Sequence, residues 1–381
     1  MKIGKLKLMK AVRLTQNQFS KDKIFYHTDR LRKFLNNELV YPIVFEISPA
    51  GFCNQNCIYC CSKQFQSRTM LSKVQLTFVI DQIAEIAMAI TFTGGGEPLL
   101  NTWLPYEIIY AKKKGLSIGI LTNGSNFSEE NINAIIDNAK FCRISLDSID
   151  PEVFKDIRKP KKYDLPEIIS GIKKMVERKR HTRSSILIGL HIVWYNQTRM
   201  DIENTVKFFS NLGIDFLQIR PVDNVPNEPF KPNYPFYQKQ KSFLENIKET
   251  YSNTTFNVVP NINKFNEYYS NKVYKEYPGC PGGNFTASIG NDFNVYFCCT
   301  HLGNKNFLLG NLSKDTLKDI LNSSIRKEMI KNCNHNECQF QCRNHVVNKL
   351  LYKLIKMEND ERERILSNID LNNKPMHYEF L

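Results

Sequence analysis

Short apolar runs alternate with amphipathic stretches over the first 220 residues. The runs that indicate buried strands are 42–48, 89–93, 116–122, 141–146, 185–193 and 216–220. Helical periodicity covers 74–88, where Val79, Ile83 and Ile86 share one face, and also 165–178 and 201–212. Strands that alternate with helices pair in parallel through right-handed crossovers, so these six units predict an α/β fold with a partial (β/α)6 TIM barrel.

The last third of the chain has a different pattern. Residues 288–297 alternate around Asn291-Asp292 and predict a hairpin, followed by a helix over about 314–330. A final amphipathic helix over about 345–366 is expected to pack against this region, with a membrane surface as the alternative. Four prolines at 225–235 indicate a linker, and the residues after them, to about 275, read as a helical bridge.

These patterns divide the chain into five predicted parts. We expect an N-terminal extension at 1–40, the barrel at 41–225, and a linker with a helical bridge at 226–275. A small cysteine-rich α+β domain at 276–345 and a C-terminal helix and tail at 346–381 complete the chain.

Three cysteines follow the first predicted strand at a spacing that suits a metal cluster. Cys53, Cys57 and Cys60 form a C-x3-C-x2-C motif, with Tyr59 directly before the last cysteine. Thiolates are the usual ligands of [4Fe–4S] clusters, and four are normal. Three would leave one iron with an open coordination position, which is typical of a catalytic rather than a structural metal site. A zinc knuckle or three unrelated buried thiols is the alternative.

A glycine-rich motif follows the second predicted strand. Gly94, Gly95, Gly96 and Glu97 come directly after the apolar run 89–93. Glycine allows the backbone to approach a ligand closely, and a glutamate can accept charge-assisted hydrogen bonds from an ammonium group. This motif lies about 35 residues after the cysteine loop and weakens the zinc interpretation.

Together the two motifs resemble the radical S-adenosylmethionine (radical SAM) superfamily. The resemblance implies that Cys53, Cys57 and Cys60 hold the cluster and that its open iron binds the amino and carboxylate groups of SAM. One electron from the cluster would then cleave SAM to methionine and a 5′-deoxyadenosyl radical that abstracts hydrogen from a substrate C–H bond. It also implies that Tyr59 packs near the adenine, and that the Gly95-Gly96-Glu97 motif binds the methionine amino group.

The carboxyl ends of barrel strands nominate further residues, because active sites of barrels lie there. Ser145 and Asp147, after strand four, resemble family positions near the ribose and carboxylate of SAM. Thr122 and Asn123 are predicted to line the same cavity, and Arg220 and Asp223 to contact substrate. Structural roles stay open, since Asn123-Gly124 is an ordinary turn signal and Asp147 could cap a helix.

A second group of cysteines occupies the last third: Cys280, Cys298, Cys299, Cys333, Cys338 and Cys342. Their order resembles the SPASM/twitch extension of radical SAM enzymes, which carries auxiliary [4Fe–4S] clusters, although Asn294 stands where the family pattern has a glycine. We expect one auxiliary cluster held by Cys280, Cys298 and two of the last three cysteines; a second cluster and a structural zinc site stay open. Three thiols have no assigned role, and we expect each of them to be an inert core residue: Cys61, Cys142 and Cys299.

Composition restricts the location and the partners. The chain has 52 Lys and Arg residues against 38 Asp and Glu, a net charge of +14. We interpret the basic runs at 158–162 and 178–181 as solvated surface, with nucleic acid as the less favoured partner. Eleven cysteines in metal-like spacings, no signal peptide and no apolar run of about 18 residues predict a cytoplasmic enzyme.

The leading hypothesis is a maturase-type oxidoreductase that activates C–H bonds in a peptide or protein. Only 52 residues precede Cys53, which is short for the peptide-binding domain of family members and favours a small substrate, a separate leader-binding partner or a leaderless mode. An electron donor such as flavodoxin or ferredoxin is implied. The alternatives are dehydrogenation of a sugar or other alcohol, epimerisation with a cysteine as hydrogen donor, RNA modification, and a non-catalytic iron–sulfur or zinc protein.

Overall fold

Seven parallel strands form the centre of the molecule. The computed structural model describes residues 20–162, 164–195, 199–222, 234–270, 275–338 and 342–381. The strands are β1 Val44–Ile47, β2 Ala89–Phe92, β3 Ser117–Thr122, β4 Phe141–Ser145, β5 Leu187–Trp194, β6 Phe216–Pro221 and β7 Asn257–Pro260. They neighbour one another in chain order, and every pair among them is parallel. The predicted partial barrel is therefore confirmed, and β7 is a strand that the sequence pattern did not indicate.

Helices follow most of these strands. They are α1 Thr28–Leu35, α2 Lys73–Ala84, α3 Leu104–Lys113, α4 Glu129–Asn138, α5 Pro151–Arg158, α6 Leu165–Thr182, α7 Arg199–Leu212, α8 Tyr234–Tyr251 and α9 Ile262–Ser270. Ser72 begins α2 with a capping box, in which its hydroxyl accepts from the amide of Gln75 while the Gln75 side chain accepts from the amide of Ser72. Of the described helices, none is long and apolar enough to cross a membrane.

The two faces of the sheet have different chemistry. Alternate residues such as Ile90, Ile120 and Leu190 are fully buried in the hydrophobic cluster that includes the helices. The residues between them face the barrel interior and are largely polar, for example Glu46 on β1 and His191 on β5, which pair with Thr91 and Gln218 on the adjacent strands. The interior of this barrel is therefore lined by groups that can bind a polar ligand.

The cysteine-rich segment continues the same sheet. It contributes β8 Thr286–Ile289, β9 Asn294–Tyr296 and β10 Leu308–Asn311. The predicted hairpin is present as the antiparallel pair β8 and β9, and β8 pairs in parallel with β1. This gives one ten-stranded sheet, so that the segment is joined to the barrel by main-chain hydrogen bonds.

Several predicted helices are divided. The helix expected over 314–330 is two helices, α10 Leu317–Asn322 and α11 Ser324–Asn332, because Ser323 is extended (ψ 155°) and caps α11 by accepting from the amide of Arg326. The final helix expected over 345–366 is also two, α12 His345–Ile355 and α13 Asn359–Ser367. The bridge contains β7 between its helices. Residues 223–233, most of the predicted linker, lie outside the described residues, and the five domain borders stay predictions.

The C-terminal end covers one end of the barrel. Val347, Leu351 and Leu354 of α12 are buried together with Phe285, which precedes β8. The tail then reaches β3 and β4, where the Ser117 hydroxyl donates to Glu379 at 2.6 Å. These contacts lie at the amino ends of the strands, opposite the end that carries the motifs.

Candidate cluster and cofactor site

The cysteine loop is held in place by the chain that follows α5. The amide of Asn56 donates to the carbonyl of Arg158 at 3.0 Å, and the amide of Ile58 donates to the carbonyl of Ile157 at 3.0 Å. The amide of Lys161 returns a hydrogen bond to the carbonyl of Asn54 at 2.9 Å. The loop between β1 and α2 is therefore fixed against the carboxyl end of α5.

The three thiols are partly buried and are surrounded by hydrogen-bond donors. The side-chain amide of Asn123 lies 3.6 Å from Cys53 Sγ, and Arg158 Nη1 lies 3.8 Å from Cys57 Sγ. Burial raises the pKa of Cys53 to about 12 and the pKa of Cys60 to about 11. The thiols are thus protonated at neutral pH in the free protein, and binding of a metal cluster would release these protons.

The glycine loop approaches the cysteine loop through its backbone. The amide of Glu97 donates to the carbonyl of Phe52 at 2.9 Å, and the amide of Gly95 donates to the Ser48 hydroxyl at 3.1 Å. A Cβ atom at Gly96 would lie 2.2 Å from the carbonyl oxygen of Phe52, whereas a Cβ atom at Gly95 would meet nothing within 4 Å. Gly96 therefore allows the two loops to pack, and Gly95 borders open space.

The carboxylate of Glu97 is buried and has partners inside the protein. It accepts hydrogen bonds from the Thr122 hydroxyl at 2.5 Å, the amide of Asn123 at 2.7 Å and the amide of Leu99 at 3.0 Å. Burial raises the pKa of Glu97 to about 7, although these donors oppose the shift. Glu97 therefore joins the glycine loop to the end of β3, and its contact with an ammonium group stays a prediction.

Asp147 is the centre of a second buried network. It accepts from the Tyr59 hydroxyl, from the amide of Val193 at 2.8 Å, and forms an ion pair with Arg158 Nε at 2.5 Å. The Arg158 guanidinium also lies over the Tyr59 ring, 5.6 Å from its centroid. Asp147 and Tyr59 thus anchor the cysteine loop within the protein, and their predicted contacts with SAM stay predictions.

Arg158 corrects the interpretation of the basic run at 158–162 as solvated surface. Its side chain is only 3% exposed, whereas Lys159, Lys161 and Lys162 are exposed as expected. Among the described residues its Nη2 has no hydrogen-bond partner. A buried guanidinium with free N–H groups beside the cysteine loop is suited to bind a carboxylate. Its position at the end of α5, after the strand-four motif, is the signal that could have identified it.

The other predicted residues lie at different places. Ser145 ends β4 and is partly exposed, opposite His191 on β5. Arg220 lies near the end of β6, one strand away from that pair. Asp223 lies outside the described residues. The structure therefore brings the three cysteines, the glycine loop, Thr122, Asn123, Tyr59 and Asp147 together. Arg220 lies on β6, opposite Val193, whose amide binds Asp147.

Five cysteines of the C-terminal segment gather beside β8. Cys333 Sγ and Cys338 Sγ lie 3.8 Å apart, and a hydrogen bond with Cys333 lowers the pKa of Cys280. Burial raises the pKa of Cys342 to about 12, and the neighbouring Cys298, Cys280 and Cys338 raise it further. A complete cluster needs four ligands, and the expectation that Cys280, Cys298 and two of the other three thiols provide them stays a prediction.

Asn348, which sequence reasoning missed, supports this group. Its side-chain amide lies 3.5 Å from Cys280 Sγ and its carbonyl oxygen accepts from the amide of Gly282 at 2.6 Å. Of the unassigned thiols, Cys142 is fully buried as expected, whereas Cys61 and Cys299 are partly exposed. Arg343, which pairs with Glu46, lies 3.5 Å from Cys299 Sγ. Within the described ranges no three Cys, His, Asp or Glu side chains are grouped closely enough for a single metal ion.

Two family models match the chain at these two places. The radical SAM superfamily model matches residues 47–209, and a model of an iron–sulfur cluster-binding domain, SPASM, matches residues 280–344. The chain therefore carries a radical SAM domain and a C-terminal SPASM domain. The cofactors of this class are a SAM-binding [4Fe–4S] cluster, SAM and auxiliary iron–sulfur clusters. The three half-buried thiols and the unpartnered Nη2 of Arg158 fit such cofactors.

Known proteins resemble the chain in part. The UPF0026 protein of Helicobacter pylori strain J99 is 33% identical over 138 residues, 32% of this chain and 42% of the relative. The GTP 3′,8-cyclase of Desulforamulus reducens is 29% identical over 141 residues, 35% of this chain and 43% of the relative. The chain thus matches about two fifths of the length of these relatives.

Solved structures with a similar fold cover more of the chain. Streptococcus suis SuiB bound to S-adenosylmethionine has a TM-score of 0.62 at 16% identity, over 85% of this chain and 75% of that one. The structure of anSMEcpe with bound AdoMet has a TM-score of 0.59 at 18% identity, over 88% of this chain and 99% of that one. At these identities the likeness establishes the fold alone.

Proposed function

We propose that this enzyme is a maturase-type oxidoreductase that removes a hydrogen atom from a C–H bond of a peptide or protein. The observation that carries the radical chemistry is the three-thiol loop, packed on the glycine loop at the carboxyl ends of the barrel strands. The SAM-binding cluster, when bound, supplies the electron that cleaves SAM to methionine and the 5′-deoxyadenosyl radical.

The residues around the loop have separate roles in this proposal. Cys53, Cys57 and Cys60 are the proposed cluster ligands. Gly95 borders the open space proposed for the methionine part of SAM, and the unpartnered Nη2 of Arg158 is the proposed donor to its carboxylate. Thr122 and Asn123 hold Glu97, and Asp147 holds Tyr59 and Arg158. Because these anchors are buried, the site is fixed before the cofactor binds.

The C-terminal group of cysteines is the proposed auxiliary site. Cys280 and Cys298 with two of Cys333, Cys338 and Cys342 would hold one cluster, and Asn348 would orient Cys280. Main-chain pairing of β8 with β1 joins this site to the barrel that carries the SAM site. An auxiliary cluster there would exchange electrons with the substrate radical. A flavodoxin or ferredoxin is the proposed electron donor, and the many free thiols support a reducing, cytoplasmic compartment.

Structural neighbours support a peptide substrate. One is SuiB bound to its precursor peptide SuiA, with a TM-score of 0.61 over 78% of this chain. Another is anSMEcpe bound to the Kp18Cys peptide, with a TM-score of 0.59 over 86% of this chain. Both neighbours share this fold and were solved with a bound peptide, which favours a peptide over a free sugar or alcohol.

A nucleotide is the second candidate substrate. Four curated relatives are named for reactions on nucleotides, two as GTP 3′,8-cyclases and two as S-adenosylmethionine-dependent nucleotide dehydratases. Their similarity covers 26–35% of this chain, so it concerns the shared core more than the substrate site.

The first experiment measures the cofactors and their chemistry. The protein is reconstituted anaerobically, iron and sulfide are counted, and 5′-deoxyadenosine is assayed after addition of dithionite and SAM. About eight irons per chain with 5′-deoxyadenosine formed support one auxiliary cluster, and about twelve support two. Cys57→Ala should lose about four irons and the product, whereas the matched Cys142→Ala variant should retain both. Bound zinc without 5′-deoxyadenosine would contradict the proposal.

A second experiment separates the substrate classes. Cells are grown in deuterated medium, and their peptide, small-molecule and RNA fractions are supplied separately to the enzyme with unlabelled SAM. Breaking a substrate C–D bond transfers deuterium to 5′-deoxyadenosine and increases its mass by one unit. Deuterium from the peptide fraction supports the proposal. If only the small-molecule fraction or only the RNA fraction transfers deuterium, the peptide proposal is wrong and a substrate of that class takes its place.

A further inference from the structure

Three neighbouring strands place positive or titratable side chains on the same inner face of the barrel. Arg143 lies on β4, His191 on β5 and Arg220 on β6. The strand register pairs Ser145 with His191 and Val193 with Arg220, and Arg143 lies one inward position below Ser145. We name these three residues the cationic cluster. His191 is level with Ser145, and Arg220 lies one inward position nearer the strand ends that carry the cofactor motifs.

In the part of the chain that the structure describes, the two arginines of the cluster have no acidic partner. Arg143 Nη1 donates to the neutral Gln218 side chain at 2.9 Å. The Nε atoms of Arg143 and Arg220 are buried and have no hydrogen-bond partner among the described residues. Within those residues neither arginine forms an ion pair, whereas the nearby Arg158 and Arg343 pair with carboxylates. Both side chains are half-buried. Charged groups that are partly removed from water are normally paired, so this pair of guanidinium groups requires an explanation.

The members of the cluster affect one another electrostatically. Burial and the charge of Arg220 lower the pKa of Arg143 to about 10. Burial also lowers the pKa of His191 well below its usual value, and Arg220, Arg143, Arg158 and Lys264 lower it further. An empty cluster is therefore electrostatically unfavourable, and an anion bound there would relieve the repulsion.

We propose that the cationic cluster binds an anionic group of the substrate, either a carboxylate or a phosphate. Guanidinium groups form bidentate hydrogen bonds with both kinds of anion. The inference rests on the proposed function, because it requires a substrate inside the barrel. In an acidic peptide the group is an Asp or Glu side chain or the C-terminal carboxylate; in a nucleotide it is the phosphate. Binding of this anion would hold the substrate inside the barrel, beside the strand ends that carry the cofactor motifs.

The test measures binding directly and does not depend on turnover. Two probes, pyrophosphate and a tetraglutamate peptide, are titrated calorimetrically into the reconstituted protein at about 150 mM salt, where exposed charges are largely screened. Arg143→Gln and Arg220→Gln should each weaken binding of the preferred probe about 10- to 100-fold, as expected for a charge-assisted hydrogen bond. Arg364→Gln, which removes an exposed arginine of α13, is the matched control and should bind as the wild type does.

Each outcome decides one point. Preference for pyrophosphate identifies the phosphate source, and preference for tetraglutamate identifies the carboxylate source. The inference is overturned if the wild type binds neither probe. It is also overturned if both glutamine variants bind the probe as tightly as the wild type does. Displacement of the probe by saturating SAM also overturns it, because the cluster would then belong to the cofactor site.

Stability and turnover serve as separate checks. Removal of an unpaired buried charge should leave the melting temperature of each glutamine variant equal to or above that of the wild type without probe. A lower melting temperature in both variants would indicate a structural role and contradict the inference. The wild type is assayed for 5′-deoxyadenosine in parallel. Absence of that product would overturn the proposed function, while probe binding would still decide the inference.

Discussion

Gly96→Ala is the substitution for which the structure gives the sharpest expectation. The added Cβ atom would lie 2.2 Å from the carbonyl oxygen of Phe52, 2.6 Å from its amide nitrogen and 2.7 Å from the carbonyl oxygen of Ala50. All three contacts are with backbone atoms, which cannot rotate away as a side chain can. The glycine loop and the cysteine loop must therefore separate, and the hydrogen bond from the Glu97 amide to Phe52 is lost.

The expected cost follows from these two effects. Overpacking costs about 1–3 kcal/mol, with backbone contacts at the upper end. The lost hydrogen bond adds about 1 kcal/mol, and the total is about 3–4 kcal/mol. An unfolding entropy of about 2.1 cal/mol/K per residue is about 0.8 kcal/mol/K for 381 residues. The melting temperature should therefore fall by about 4–5 °C.

Gly95→Ala is the matched control at the adjacent residue. Its Cβ atom would meet nothing within 4 Å, and neither glycine has a positive φ that would strain an alanine. An alanine at a compatible position should stabilise the fold by about 0.4–1 kcal/mol. Because that Cβ atom would enter the open space proposed for SAM, the variant should bind SAM more weakly while it retains all of its iron.

The assay is a melting curve by circular dichroism with iron counting after anaerobic reconstitution. Gly96→Ala should lose iron from the cysteine loop, because the loop no longer rests on its support. A melting temperature within 1 °C of the wild type, with full iron content, would refute the reasoning. Equal losses in both alanine variants would also refute it, since the structure distinguishes the two positions.

Three further predictions concern buried polar groups. Arg158→Met leaves the buried Asp147 without its ion-pair partner and should lower the free energy of unfolding by about 3–5 kcal/mol. Urea titration measures this loss. If adding Asp147→Asn to that variant restores none of the lost stability, the prediction is contradicted. Asn348→Leu removes the hydrogen bond to Cys280 and should make the reduction potential of the auxiliary cluster more negative. A redox titration followed by EPR measures this potential, and the SAM-binding cluster serves as the internal control. An unchanged potential of the auxiliary cluster would contradict the prediction. Burial lowers the pKa of His27 to about 4, below its usual 6.5, so the unfolded chain binds the proton more readily and stability is lost as pH falls from 6.5 towards 4. His27 should account for about 1.4 kcal/mol of that loss at pH 5.5, and His27→Gln should reduce the difference between urea midpoints at pH 7.5 and pH 5.5.

Much of the barrel could be predicted from local patterns. The six strands lie within one or two residues of the predicted runs, because the face of each strand that packs on the helices requires apolar residues at alternate positions. β7 was missed since Asn257–Pro260 is short and lies among residues with helical periodicity. β7 joins the sheet because β6 offers an unpaired edge, and the sequence around β7 gives no indication of that edge.

The candidate site could be predicted only in part. The glycine and cysteine motifs were evident from spacing, since each lies within one loop of the chain. Arg158 was misread because its burial depends on Asp147 and Tyr59, which lie 11 and 99 positions away in the sequence. A basic run in the sequence gives no indication of which of its members meets a buried carboxylate.

The sequence by itself determined the chemistry: the three-cysteine motif, the glycine motif, the later group of cysteines and the alternation of strand and helix. Each of those features lies within a short stretch of the chain, so residue spacing alone is enough to identify it. Only the tertiary structure decided that β8 pairs with β1 and that the Glu97 carboxylate accepts hydrogen bonds from Thr122 and Asn123. It also decided that Arg143 and Arg220 face the barrel with no acidic partner among the described residues. The physical reason is that sheet edges and the pairing of buried charges depend on segments far apart in the chain, which meet only when it folds.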